Sequence, residues 1–209
     1  FGVDPSSEKF KKLYNKNIYR INSFFSKDSI NKFLKKNRIK QTNFDLITSF
    51  AIFYDINDPN LFCKEIFNLL SPKGYWAVEF SYLPLMLKNI TYDQICHEHV
   101  TYYSLTVFNN LIKRHNLKIV DVTQNEINGG SIEVICTRKD NKCEINNSKI
   151  FSALKDEKKI KNSSYKNFNK KINNIKKKLN DFLIKNKKNI IGYGASTKGN
   201  IVLNHCKIT

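Results

Sequence analysis

The apolar positions in the first half of the chain change period repeatedly, and each change marks a boundary between a strand and a helix. Gly2 to Asp4 reads as a strand end, Ser7 to Tyr14 as helical, and Ile18 to Asn22 as a short strand opening into the loop Ser23 to Ser26. Asp28 to Lys36 is helical. The run FDLITSF, Phe44 to Phe50, lacks the polar alternation of a half-exposed strand and predicts a parallel strand buried on both faces. Asp58-Pro59 combines an N-cap with a proline at the first helical position, and Phe62, Ile66 and Leu69-Leu70 follow at helical spacing. Ser71 to Gly74 reads as a turn and Tyr75 to Phe80 as the next strand.

Strands alternating with helices predict an α/β fold with a doubly wound, mostly parallel sheet. A loop-rich stretch from Ser81 to Tyr103 follows, then a helix from Leu105 to His115 and strands at Lys118 to Thr123 and Ser131 to Arg138. Asn128-Gly129-Gly130 is too short for a parallel crossover, so the last pair is antiparallel. Farther on, Phe168, Ile172, Ile175, Leu179 and Phe182 form one apolar stripe of a helix. Asn189 to Tyr193 reads as a strand leading into the glycine-rich turn Gly192 to Asn200 and another helix. The pattern divides the chain into an α/β unit over 1–140, a basic helical segment over 141–188 and the start of a second unit over 189–209.

Charge and composition narrow the classes. The 209 residues carry 36 Lys plus Arg against 18 Asp plus Glu, a net charge of +18, with 41% hydrophobic content, which fits a globular protein. Fourteen lysines against three acids lie between Lys149 and Ile190, so most of the excess belongs to the amphipathic segment and reads as a solvated helix face. No arginine-aromatic clusters accompany it, which argues against nucleic acid as the partner. No apolar run approaches the ~18–20 residues of a membrane helix, and no leader opens the chain, so a soluble cytoplasmic protein without membrane partners is expected. Five scattered cysteines, none in a CxxC, read as reduced thiols. The start at Phe1 and the stop just after a helix read as a fragment of a longer protein.

The densest polar cluster is Tyr92-Asp93-Gln94-Ile95-Cys96-His97-Glu98-His99, followed by Tyr102-Tyr103-Ser104, beyond the strand that ends at Phe80. In open α/β sheets ligands bind beyond the carboxyl ends of the strands, and histidine beside a carboxylate suits proton transfer near neutral pH. The competing readings are a structural loop, or a metal site, for which HExxH and an evident fourth ligand are lacking; no metal is expected here. Gly192-Tyr193-Gly194-Ala195-Ser196-Thr197-Lys198 could bring backbone N–H groups to a phosphate or simply allow tight packing. It fails the P-loop pattern at Thr197.

The motifs Tyr82-Leu83-Pro84-Leu85-Met86-Leu87, Tyr92 to His99 with Tyr102-Tyr103-Ser104-Leu105, Asn128-Gly129-Gly130-Ser131 and Gly192 to Asn200 together resemble the class I S-adenosylmethionine-dependent methyltransferases that include deoxysugar C-methyltransferases. The resemblance spans nearly the whole chain. It implies a Rossmann-like methyltransferase sheet with an antiparallel last strand, then a helical linker and the start of a second Rossmann-like domain. It also implies a preceding zinc-binding module, the expected place for zinc, and a first strand with a glycine-rich loop, both outside this chain. The cofactor implied is S-adenosylmethionine, with Asp4 at its ribose, Ser23 and Phe24 near adenine, and Ser49 and Phe50 beside the methionine portion. Glu98-His99 matches the family's Glu-His pair, so His99 is the expected general base, with Glu98, Tyr92 and Tyr102 supporting it. Asp55, Cys96 and His97, with Gly194, Ser196, Thr197 and Lys198, would face a small, nucleotide-linked sugar. The sequence departs from the sugar enzymes at two positions, Asp55 in place of His and Cys96 in place of Tyr. An RNA or protein methyltransferase, and a nucleotide-sugar-binding or oxidoreductase-like Rossmann domain, remain the alternatives, and without its first strand the fragment is expected to be inactive.

Overall fold

A computed structural model describes residues 1–186, 190–194 and 196–208. Two short parallel strands, β1 (Gly2–Val3) and β2 (Arg20–Ile21), pair with each other. Helix α1 (Lys27–Lys36) follows; its N-cap Ser26 accepts from Ser29 N, and Ile30 and Leu34 are buried. β3 (Phe44–Phe50) leads through a 3₁₀ turn at Phe53–Asp55 to α2 (Pro59–Leu69), where Asp58 Oδ1 accepts from Leu61 N at 2.9 Å. β4 (Leu70–Ser81) then lies parallel to β3. Residues 71–74, expected as a turn, belong to this strand: pairing jumps from Phe44↔Leu70 to Leu46↔Tyr75, so the extra residues are taken up as an irregularity inside the ladder.

The expected loop after β4 contains a helix, α3 (Leu83–Asn89), with Pro84 in its first turn. Next come α4 (Leu105–Lys113), β5 (Leu117–Asn125) and β6 (Ser131–Arg138), the last running antiparallel to both β5 and β4. The second sheet has the order β3-β4-β6-β5. Two helices, α5 (Asn147–Glu157) and α6 (Asn162–Lys185), occupy the basic segment, and α7 (Thr197–Cys206) ends it. Asn189 lies outside the described residues, and Ile190 to Tyr193 form no strand; Ile191 is 94% exposed, without a neighbouring strand to cover it among the described residues.

The core lies between this sheet and α2, α4 and α5. Trp76, Val78 and Phe80, alternate residues of β4, are fully buried with Phe53, Phe62, Phe108 and Ala153. Phe53 is central, its ring 5.0 Å from Tyr103 and 5.3 Å from Phe108. β3 differs from expectation: only the parity of Ile47 and Ser49 turns inward, while Leu46 is 62% and Phe50 50% exposed. The helices pack on one face, so the residues of opposite parity stay open. α5 joins this body directly: Asn146 N donates to Val120 O at 2.8 Å and Ala153 enters the main core. In α6, Phe168 and Ile172 pack with Met86 and Tyr92, whereas Phe182, farther along the stripe, is exposed.

Candidate active site

The chain leaves β4 at Ser81 and returns at Tyr103, and the intervening excursion carries the polar cluster. A bridge between Tyr82 and Tyr103, with Leu83 N donating to Tyr103 O at 2.9 Å, closes its neck. Its far end is tied to the turn after β3: Val100 N and Thr101 N both donate to Tyr54 O, at 2.9 and 3.2 Å. Those two bonds set the His99 ring against Tyr54, centroids 4.3 Å apart, with Tyr102 at 6.4 Å. His99 Nδ1 is buried and has no hydrogen-bond partner among the described residues. Cys96 is half-buried in the same loop, and its carbonyl accepts from His99 N at 3.2 Å.

Electrostatics bind this group together. Burial pushes the Tyr54 hydroxyl up, with Asp55, Glu79 and Cys96 adding to the effect. Burial also raises Asp55 above the usual carboxylate range; nearby His99 opposes that and Glu98 reinforces it. Tyr102 is raised by burial first and by Cys96 second. The structure thus brings His99, Tyr102, Cys96 and Asp55 together, with His97 and Glu98 exposed beside them. Tyr54 was not anticipated from sequence; its only signal was its place next to Asp55 in a turn just past a strand.

Tyr92 stands apart. It is buried with Met86, Phe168 and Ile172, its ring is 5.3 Å from His205, and burial together with Cys206 pushes its hydroxyl up to about 12. The glycine-rich turn also lies elsewhere. Gly194 is exposed with a φ of 137°, Ser196 Oγ accepts from Gly199 N at 3.3 Å as the α7 N-cap, and Thr197 opens that helix. Lys198 Nζ donates to Asn128 Oδ1 at 3.2 Å.

Beside the His99 group opens a cavity of about 760 Å³ whose lining includes Asp4, Phe24, Ser26, Ile52, Asp55 and Asp58. Asp4 Oδ1 accepts from Ser6 N at 2.6 Å and from Ser6 Oγ at 2.5 Å, while the Phe24 ring is 79% exposed. Ser23, half-buried, donates its N–H to Ile21 O at 3.0 Å just before Phe24. Ser49 turns the other way, its hydroxyl accepting from the buried Trp76 Nε1 at 2.6 Å, and Phe50 is half-exposed on the open face of β3. A smaller slot of about 170 Å³ separates the two sheets, lined by Phe1 and Val3 on one side and Phe44, Leu46, Thr48 and Ser49 on the other. Among the described residues no group of three potential metal ligands occurs, and no helix is long and apolar enough to cross a membrane.

The family described as a methyltransferase domain matches residues 1–122, and the C-methyltransferase C-terminal domain matches residues 126–209. The C-methyltransferase NovU of Streptomyces niveus is 31% identical over 144 residues, covering 66% of this chain and 34% of its own length, so the chain spans about a third of that relative. Among solved structures, a complex of the Haloferax volcanii Trm112 methyltransferase activator with a methyltransferase aligns at 13% identity and a TM-score of 0.48, covering 66% of this chain and 71% of the other. A SAM-dependent methyltransferase of Thermotoga maritima aligns at 15% identity and 0.45, covering 66% and 72%.

Proposed function

The chain belongs to the methyltransferase-domain family, which matches more than half of it, and from that premise we propose that it carries out methyl transfer from S-adenosylmethionine to a small acceptor, with His99 as general base. The observation that carries this reading is the position of Asp55, which lines the 760 Å³ cavity and also sits close enough to His99 for the imidazole to act on its carboxyl group. One residue therefore joins a cofactor-sized cavity to a buried imidazole nitrogen that has no partner among the described residues.

The residues present fit the cofactor. The Asp4 carboxylate keeps one oxygen beyond its bonds to Ser6 for ribose hydroxyls, and the exposed Phe24 face suits adenine. Bound there, S-adenosylmethionine supplies an activated methyl group. We place Ser49 outside this set: it does not line the 760 Å³ cavity, and its hydroxyl accepts from the buried Trp76 N–H. The slot between the sheets, edged by β1 and β3, has the setting for one further parallel strand, which would complete the cavity wall.

The chain's own groups then have the following tasks. His99 removes a proton from the acceptor, and the Tyr54 ring, tilted at 47° against the imidazole, holds it in place together with the two backbone bonds from the loop to Tyr54 O. Tyr102, its hydroxyl donating to the Gln94 backbone carbonyl beside His99, presents its phenol oxygen to accept from a hydroxyl of the acceptor. Glu98 and His97, both exposed, can meet the acceptor at the entrance. A C-methylation of a nucleotide-linked keto sugar fits this set of groups, and the 31% identical relative is named a C-methyltransferase. Asp55 and Cys96 would then tune which sugar is accepted.

The test is transfer of labelled methyl from S-adenosylmethionine to a panel of nucleotide-linked keto sugars by the full-length protein. His99→Ala should lower the rate by about 10²–10⁴-fold, the usual range for a general base. Wild-type turnover in that variant would remove the assignment.

A further inference from the structure

Lys198 is expected to face a nucleotide-linked substrate, and the structure also gives its side chain a partner within the protein. Its ammonium donates to Asn128 Oδ1 at 3.2 Å. The backbone carbonyl of Asn128 accepts from Gln94 Nε2, and Gln94, only 1% exposed, also donates to Thr91 Oγ1 at 3.1 Å. The Gln94 backbone carbonyl in turn accepts from the Tyr102 hydroxyl at 3.3 Å. Four residues from three separate segments are thereby joined, running from α7 through the β5–β6 connection to the phenol beside His99.

The middle of this chain of bonds is rigid. Asn128 sits in the left-handed region with φ 55°, which Asn tolerates better than most residues. Gly130, at φ 132°, lies so near α3 that a Cβ there would come within 2.5 Å of Leu85 Cβ, and Asn89 Nδ2 holds the Gly129 carbonyl at 2.8 Å. α7 is seated on the same excursion at its other end, where Cys206 and His205 meet Tyr92.

We propose that Lys198 is a positioning residue, acting through Asn128 and Gln94 to hold the Tyr102 phenol at the methyl-transfer site, so that the segment beginning at α7 is part of the machinery that sets catalytic geometry. This inference rests on the methyl-transfer reading of His99 and Tyr102. It makes a different prediction from substrate binding, because a misplaced Tyr102 slows the chemical step, whereas a lost phosphate ligand weakens substrate binding.

The experiment uses the full-length protein with Lys198→Met, Lys198→Arg, Asn128→Gly and the Lys198→Met/Asn128→Gly pair. Asn128→Gly keeps the backbone carbonyl and accepts the positive φ. Lys198→Met and Asn128→Gly should each lower kcat by about tenfold, within the cost of a sub-ångström to 1 Å misplacement, and leave KM unchanged. The pair should be no slower than either single variant, because both break one connection. Lys198→Arg, which keeps a donor, should recover most of the loss. A readout that needs no turnover comes from tyrosine labelled with ¹³C at Cζ: the Tyr102 resonance should move in both single variants and return with arginine.

A rise in KM at constant kcat would overturn the proposal and make Lys198 a substrate ligand. Additive losses in the pair, or an unmoved Tyr102 resonance in a folded variant, would overturn it as well. If the wild-type protein transferred no methyl group, the methyl-transfer reading would fall, while the Tyr102 resonance would still decide the coupling; full turnover in His99→Ala would remove only the base role of His99.

Discussion

Replacing Glu157 should unfasten the neck of the active-site excursion, and the size of the effect follows from its four bonds. The carboxylate ends α5, is half-buried, and accepts from the Tyr82 hydroxyl at 2.7 Å, from Thr106 N at 2.9 Å, and from Leu105 N and Thr106 Oγ1. Ser104 Oγ accepts from Val107 N at 3.3 Å. Ser104 and Glu157 between them therefore satisfy the first three N–H groups of α4, one as the N-cap just before the helix and the other from a distant segment. A capping interaction contributes about 1 kcal/mol, and a hydrogen bond to a charged group about 1.5–3 kcal/mol. In Glu157→Ala the exposed Thr106 donors regain water, but the Tyr82 hydroxyl, in a residue 1% exposed, does not. The net loss should be about 3–4 kcal/mol, and about 2 kcal/mol for Glu157→Gln, whose single carbonyl oxygen cannot serve all four donors. Equilibrium urea denaturation, with m checked for constancy, measures both. In a Tyr82→Phe background the Glu157→Gln cost should shrink by about 1 kcal/mol. A loss below about 1 kcal/mol for Glu157→Ala would show that water replaces these bonds freely, and the role given to the carboxylate would be wrong.

Three further outcomes are expected. Gly130→Ala should cost about 2–3 kcal/mol in a urea titration, since it forces a positive φ on alanine and drives a methyl into Leu85. Ser49→Ala should cost about 1–3 kcal/mol by leaving the buried Trp76 N–H without its acceptor, yet leave S-adenosylmethionine affinity in calorimetry unchanged; weakened binding would return Ser49 to the cofactor site. Burial holds the Asp55 pKa above its unfolded value, so the folded state binds the proton more tightly. The stability from Asp55 should be present below the unfolded pKa and fall as pH rises through the folded one. The fall in urea midpoint across the acid range should be smaller in Asp55→Asn, and an unchanged pH profile in that variant would contradict the shift.

Much of the fold is legible because its determinants are local. The Asp58-Pro59 start of α2 and the spacing of Phe62, Ile66 and Leu69 define that helix without outside help. The bounds of β3 and β6 follow from stretches rich in β-branched and aromatic residues between polar segments. The pattern failed where burial depended on neighbours. FDLITSF has the composition of a strand covered on both sides, yet only one parity is covered. Residues 190–193 have strand-like apolar residues but, among the described residues, no ladder to join. Pro84, which looks like a loop residue, sits where a helix tolerates it best.

The candidate site divides in the same way. His99, Tyr102 and Cys96 lie in the polar cluster that residue type and its place beyond a strand end mark out, because proton-transfer chemistry restricts the choice to a few side chains, whereas Asp55 is reached only through the family resemblance. Asp4 and Phe24 share a cavity although twenty positions separate them, as the parallel pairing of β1 with β2 dictates. Nothing along the chain marks Tyr54 as the ring against His99, Ser49 as the acceptor for Trp76, or Glu157 as a cap for α4, fifty-one positions from Thr106. Nor does it show that Tyr92 turns away to Cys206 while Lys198 reaches Asn128, seventy positions distant. Periodicity and residue chemistry were enough to set the alternation of elements and the supply of reactive groups, since both depend on the backbone and the nearest neighbours. Which groups meet, and which are occupied by one another, was decided by packing, because hydrogen bonds and burial act between segments that only the closed sheet and its helices bring within reach.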